Sequence, residues 1–131
     1  MASTDIKVRY SPKGERADYT PQTAASSAQK VIQILEGRWK LVILFQLFGS
    51  GPRRFSELER AIPAVSQKML IQQLRQLEQD GVVGRIVHPQ VPPKVEYHLT
   101  EWGQSLCPVL DKLLVWAEAA PSEVRDRLID E

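Results

Sequence analysis

Apolar positions recur along the chain with a helical period in some stretches and a strand period in others, and Gly and Pro mark most of the breaks. Ala28, Val31, Ile34 and Leu35 fall on one helix face, with Ser26 or Ser27 as the cap and Gly37 as the stop. The next stretch, WKLVILFQLF from Trp39 to Phe48, is apolar nearly all round and predicts a central helix, ended by Gly49, Gly51 and Pro52. In RRFSELERAIP, Ser56 and Glu59 stand at capping-box spacing and Pro63 marks a stop. Ser66 then caps a predicted helix up to Gln79, with Val65 and Leu70 at the positions of a hydrophobic staple and Gly81 closing it.

After Gly81 the pattern changes. Val82, Val83, Ile86 and Val87 predict one strand, and Val95, Tyr97 and Leu99 a second. Between them HPQVPPK is too rich in Pro for a sheet interior, so the pair reads as antiparallel strands joined by a stiff loop, a wing. A long helix follows from a Thr100 cap. Trp102, Leu106, Val109, Leu113 and Trp116 form one seam on it, and Cys107, Leu110, Leu114 and Ala117 a second. Pro108 removes one hydrogen bond from this helix and predicts a bend. Two adjacent seams exceed what a small monomer covers, so Leu106, Leu110, Leu113, Leu114 and Trp116 are expected at a contact with a second copy.

The segment from Ser66 to Gln79 carries the functional expectation. At roughly 100° per residue, Lys68, Gln72 and Arg75 lie within about 60° of one another, opposite Leu70, Leu74 and Leu77. The leucines anchor the helix and the long donors stand outward. A capped helix, a turn and a donor-bearing helix make the helix-turn-helix plan, in which Gln and Arg read base edges in the DNA major groove and Lys reaches phosphates. Taken alone, such a stripe is more often plain solvated surface. The order of capped helix, turn, donor helix, strand, Pro-rich loop and strand favours the DNA reading. Arg85, His88, Gln90 and Lys94 are then wing candidates for the minor groove or phosphates, and Arg53 and Arg54 candidates for phosphate contacts near the wing's base.

Composition adds a little. The 131 residues suit one domain with tails, and the single Cys excludes an intramolecular disulfide and suits a reducing compartment. The net charge is +1, but residues 36–99 hold nine Lys/Arg against six Asp/Glu, and residues 100–131 three against seven. A basic middle and an acidic end fit a protein that presents one region to a polyanion. Neither a secretory signal nor a membrane span is read, and the expected location is cytoplasmic and nucleoid-associated. The two His and one Cys show no zinc spacing, GSGPRR is not a phosphate-binding loop, and no enzyme activity, metal or cofactor is expected. His98 reads as a residue at a sheet edge, and Trp39 and Trp116 as core or dimer packing.

The segments GRWK, GPRRFSEL, SQKML, LRQLEQDG, VPPKVEYHLT and CPVL together resemble the HxlR-type winged helix-turn-helix regulators, relatives of the MarR group, over roughly Ser26 to Trp116. The resemblance implies a homodimeric bacterial transcription factor. Its dimer would be built from the arm, the first helix (hence Val31) and the last long helix, and the two SQKMLIQQLRQLE helices, with Ser66, Gln67, Lys68, Gln72 and Arg75, would enter successive major grooves. Many members carry a redox- or electrophile-sensing Cys followed by Pro near the start of the first helix. Here Ser26 stands there without the Pro, so an N-terminal thiol switch is not expected. Cys107 reads first as a small apolar filler and second as a redox sensor at the subunit interface.

The expected fold is mainly α with a small antiparallel β-wing (α+β), a dimeric winged helix-turn-helix. A flexible arm spans residues 1–23, the domain 24–120, and a tail or short helix 121–131. The expected function is sequence-specific binding of double-stranded DNA by a homodimer at a pseudo-palindromic operator. Two alternatives stay open: a protein-interaction module without DNA readout, and a sensor that takes an unidentified small-molecule effector in the dimer cleft.

Overall fold

A computed structural model describes residues 18–129. In chain order the elements are α1 (Pro21–Leu35), α2 (Lys40–Phe48), β1 (Arg53–Arg54), α3 (Phe55–Ala61), α4 (Gln67–Gln79), β2 (Val83–His88), β3 (Lys94–Leu99), α5 (Glu101–Glu118) and α6 (Ser122–Ile129). They fall into two units that divide between Glu36 and Gly37.

The first unit contributes α1. Thr20 caps it: its Oγ1 accepts the Thr23 N–H at 3.2 Å, and the Thr20 N–H donates to Thr23 Oγ1 at 2.9 Å. Pro21 follows at the first helical position, where its missing N–H costs nothing. The helix therefore starts several residues before the expected Ser26 or Ser27 cap, and before the expected boundary of the arm at residue 23. A Thr paired with a Thr three residues on is a weaker signal than the usual Ser/Thr–Glu pair. The remainder of the expected arm, residues 1–17, lies outside the described residues.

In the second unit the core is built from α2 (Ile43, Leu44, Leu47), α3 (Leu58), the turn after it (Ile62, Val65), α4 (Leu70, Leu74, Leu77) and the base of the wing (Val82, Val83, Leu99). α2 is less central than its composition predicts, because Leu41, Val42 and Phe45 are exposed. The cap of α3 also differs. It sits at Arg54, whose backbone N–H donates to Glu57 Oε1 at 2.7 Å, so the working pair is not Ser56 and Glu59. The reason is β1. Pairing of Arg53 with Tyr97 and of Arg54 with Glu96 holds the backbone extended up to Arg54, and the helix turns at once from there.

That short strand makes the sheet three-stranded and antiparallel, in the order β1-β3-β2. β3 is central, so His98 is not at an edge. Its ring lies over Gly84, directly opposite in the register, where a Cβ would collide with the imidazole. The hairpin runs from Val83 opposite Leu99 to His88 opposite Lys94, as the two predicted strands require.

The close of α4 joins it to α5. Gly81, at φ +79°, turns the chain, and the Val82 N–H donates to Leu77 O while the Gly81 N–H donates to Glu78 O, both at 3.0 Å. This is the Schellman arrangement, with buried Leu77 and Val82 as its apolar contact. Thr100 then donates from Oγ1 to Gly81 O at 2.7 Å and from its N–H to Val82 O at 3.0 Å, and its Oγ1 accepts the Gly103 N–H. Any side chain at Gly103 would run into the Val82 carbonyl oxygen. α5 continues unbroken through Pro108, and the residues after it form α6, so the undecided tail includes a helix.

Candidate nucleic-acid interface

α4 is two-sided for reasons visible at its own positions. Ser66 Oγ accepts the Met69 N–H at 3.1 Å and fixes the start; the hydroxyl proton stays free to donate. Val65 and Leu70, the staple positions, are both buried, and Leu70, Leu74 and Leu77 seal the inner face. Gln67, Lys68, Ile71, Gln72, Arg75 and Gln79 are exposed on the outer face. The structure thus brings Lys68, Gln72 and Arg75 together at the surface. A residue the pattern misses is Gln73, which is 6% exposed on the inner side, with its Oε1 lacking a hydrogen-bond partner. It packs at Gly37, whose φ of +136° and lack of a Cβ leave room for the amide.

The wing's cations are less free than a reading by composition suggests. Arg85 Nε lies 3.0 Å from Glu78 Oε2, which ties β2 to the last turn of α4. His88 Nε2 lies 2.7 Å from Glu96 Oε1, and Lys94 Nζ lies 3.9 Å from Glu96 Oε2. The hydrogen bond from His88, helped by the charges of Lys94 and Arg54, holds the Glu96 carboxyl below the ordinary carboxylate range, against the opposing effect of burial. Gln90 is exposed in the loop that links the strands. Of the two arginines at the wing's base, Arg54 is exposed. Arg53 is half-buried and turned inward, donating from Nε to Ser50 Oγ at 3.0 Å and from Nη2 to Gln46 Oε1 at 3.1 Å. Those bonds brace the end of α2 against the sheet.

Between α4 and the wing lies a cleft of about 500 Å³, whose walls include Phe55, Ile71, Arg75, Glu78, Arg85 and Tyr97. Burial, reinforced by the Glu78 carboxylate, pushes the Tyr97 phenol up, while Arg85 and Arg75 act in the other direction. The sequence reading missed Tyr97 and Glu78. The register sets Tyr97 directly opposite Arg85, on the same face of the sheet, and only the packing shows that this face looks onto α4.

The residues expected at a subunit contact divide. Leu113, Leu114 and Trp116 are exposed on α5, Trp116 by 75%, and Val31 is exposed on α1. Leu106 is half-buried. Leu110 is only 4% exposed and is a correction: it is buried within the chain itself and is not free for a subunit contact. Cys107 is a second correction. It is exposed rather than a buried filler, at the rim of a groove of about 390 Å³ shared with Phe48, Ile86 and His98. Among the described residues no group of three or more His, Cys, Asp or Glu side chains converges as a metal site.

An amphipathic helix seated by its leucines, preceded by a capped helix and turn and followed by a two-stranded hairpin, defines the winged helix-turn-helix class. The model of the HxlR-like helix-turn-helix family matches residues 34–124, and the chain belongs to that family. It is 53% identical over 90 residues to the uncharacterized HTH-type transcriptional regulator YtcD of Bacillus subtilis, covering 69% of this chain and 71% of that protein. A crystal structure of a putative HTH-type transcriptional regulator ytcD superposes with a TM-score of 0.65 at 52% identity, covering 70% of this chain and 92% of that one. The redox regulator HypR in its reduced form superposes with a TM-score of 0.65 at 41% identity, covering 71% of this chain and 91% of that one.

Proposed function

We propose that this DNA-binding transcriptional regulator acts as a homodimer that reads a pseudo-palindromic operator in double-stranded DNA. The observation that carries the reading is the outer face of α4: Lys68, Gln72 and Arg75 stand exposed together on a helix whose leucines are sealed in the core. Gln72 and Arg75 read base edges, Lys68 and Gln67 reach phosphates near the helix start, and Ser66 adds its free hydroxyl proton. Arg54, Arg85, His88, Gln90 and Lys94 supply contacts from the wing and its base, and Arg53 acts mainly through its ties to α2. The half-sites lie about one helical turn apart. The family is one of regulators, not enzymes.

The dimer reading is supported by Leu113, Leu114 and Trp116, which with Trp102, Val109 and Val115 make α5 more apolar at its surface than a monomer ordinarily tolerates. Val31 extends the same reading to α1. No helix among the described residues is long and apolar enough to cross a membrane, which is consistent with a cytoplasmic, nucleoid-associated regulator. HypR is a redox regulator, but this chain has Ser26 at the expected sensing position and its single thiol, Cys107, elsewhere. HypR's redox signal therefore has no matching thiol at that position here.

Selection of bound duplexes from a random pool tests the assignment. Gln72→Ala and Arg75→Ala broaden the selected sequence, and Lys68→Ala weakens every duplex alike. Unchanged affinity and unchanged preference in both Gln72→Ala and Arg75→Ala would overturn the reading face. Binding of the native protein to duplexes that does not fall with salt would favour a protein-docking module instead.

A further inference from the structure

We propose that the cleft between α4 and the wing seats a phosphodiester of the bound duplex, and that Glu78 limits how tightly it is held by engaging Arg85. The proposal rests on the DNA-binding reading and adds two residues to it, Tyr97 and Glu78.

The cleft has the chemistry of an anion seat with a built-in brake. Arg75 enters it from α4 and Arg85 from β2, so two guanidinium groups from different elements face one space. Tyr97 lines the same cleft and, paired directly opposite Arg85 across the hairpin, brings a phenol donor to it. Any strand running from a helix in the major groove toward a wing in the minor groove must cross between the two elements, and the group presented at the crossing is a phosphate. The Arg85 guanidinium with a phenol donor beside it suits its tetrahedral oxygens, while Arg75, whose tip reads bases, adds positive charge at the same wall.

Glu78 is the feature a plain anion site would lack. Its carboxylate sits 3.0 Å from Arg85 Nε, and it is the less exposed partner, at 24% against 52% for Arg85. The more buried carboxylate therefore positions the more exposed cation. While the pair is closed, Arg85 offers its Nη groups but little net charge. Affinity for phosphate at arbitrary sequence stays low, and discrimination is left to the bases read by α4. Glu78 is in these terms a specificity-determining residue that works through Arg85.

The experiment uses the full-length protein and an end-labelled duplex of mixed sequence, with affinity followed by fluorescence anisotropy across a salt series. Glu78→Gln keeps the shape and removes the charge. It is expected to tighten binding severalfold and to steepen the slope of log affinity against log salt by about 0.9, the value of one added phosphate contact. Tyr97→Phe is expected to weaken binding severalfold with the slope unchanged, because a neutral donor releases no counterion. In an Arg85→Gln background, Glu78→Gln is expected to have little effect. A gain from Glu78→Gln that persists undiminished without Arg85 would overturn the coupling, and a Tyr97→Phe protein of native affinity would overturn the seat. If the native protein itself binds no duplex at low salt, the DNA-binding reading fails first, so the two failures are distinguishable.

Discussion

α4 and α5 use their apolar side chains in opposite ways. On α4 the leucines share one face and are sealed within the subunit, leaving the other face to Lys68, Gln72 and Arg75. α5 is longer and richer in large apolar residues, yet the described structure buries only Gly103 and Leu110 on it. The same driving force acts on both helices, about 25 cal/mol for each Å² of apolar surface removed from water. In α4 it is satisfied by folding. In α5 most of it is left unsatisfied within the chain, so under the proposed dimer a mutation in the first helix is read as stability and one in the second as assembly.

Substitutions can break that contrast. The largest expected effect is Leu74→Ala, which leaves a cavity in the core that Leu74 fills at 1% exposure and costs about 2–5 kcal/mol in denaturant unfolding. Next is Trp116→Asp, expected to abolish self-association in sedimentation while the unfolding midpoint of the dilute chain barely moves. A Trp116→Asp protein as destabilised as Leu74→Ala would erase the distinction. Thr100→Ala, at the joint between the two helices, loses the side-chain cap of α5 and the bond to Gly81 and is expected to cost about 1 kcal/mol. The smallest effect concerns the wing. Glu96 titrates below its ordinary value, so its contribution is present at neutral pH and is lost as the pH falls through the folded value. Acid melting curves should therefore show a slight extra loss in the native protein that Glu96→Gln lacks.

The helices were legible wherever apolar residues repeat with a helical period and strong caps flank them. α4 is the clearest case, with Ser66 and Gly81 at its ends and a complete leucine face. The wing was legible from its alternation and its Pro-rich loop. What the sequence hid depends on partners distant in the chain. The two residues of β1 have no period of their own and become a strand only because β3 lies beside them. Arg53 and Arg54 look alike as neighbours, yet Gln46 and Ser50 turn the first inward and leave the second outside. Leu110 and Leu113 both read as seam residues, but only the folded chain shows that the first is buried and the second left exposed. In the same way Glu78 looked like ordinary surface until the hairpin register set Arg85 beside it.

Thr100 gives the molecule a mechanical property. Because it grips the carbonyls of Gly81 and Val82 while starting α5, the end of one helix and the beginning of the other form a welded corner rather than a hinge. Displacing the first turn of α5 therefore means breaking short polar bonds at the end of α4.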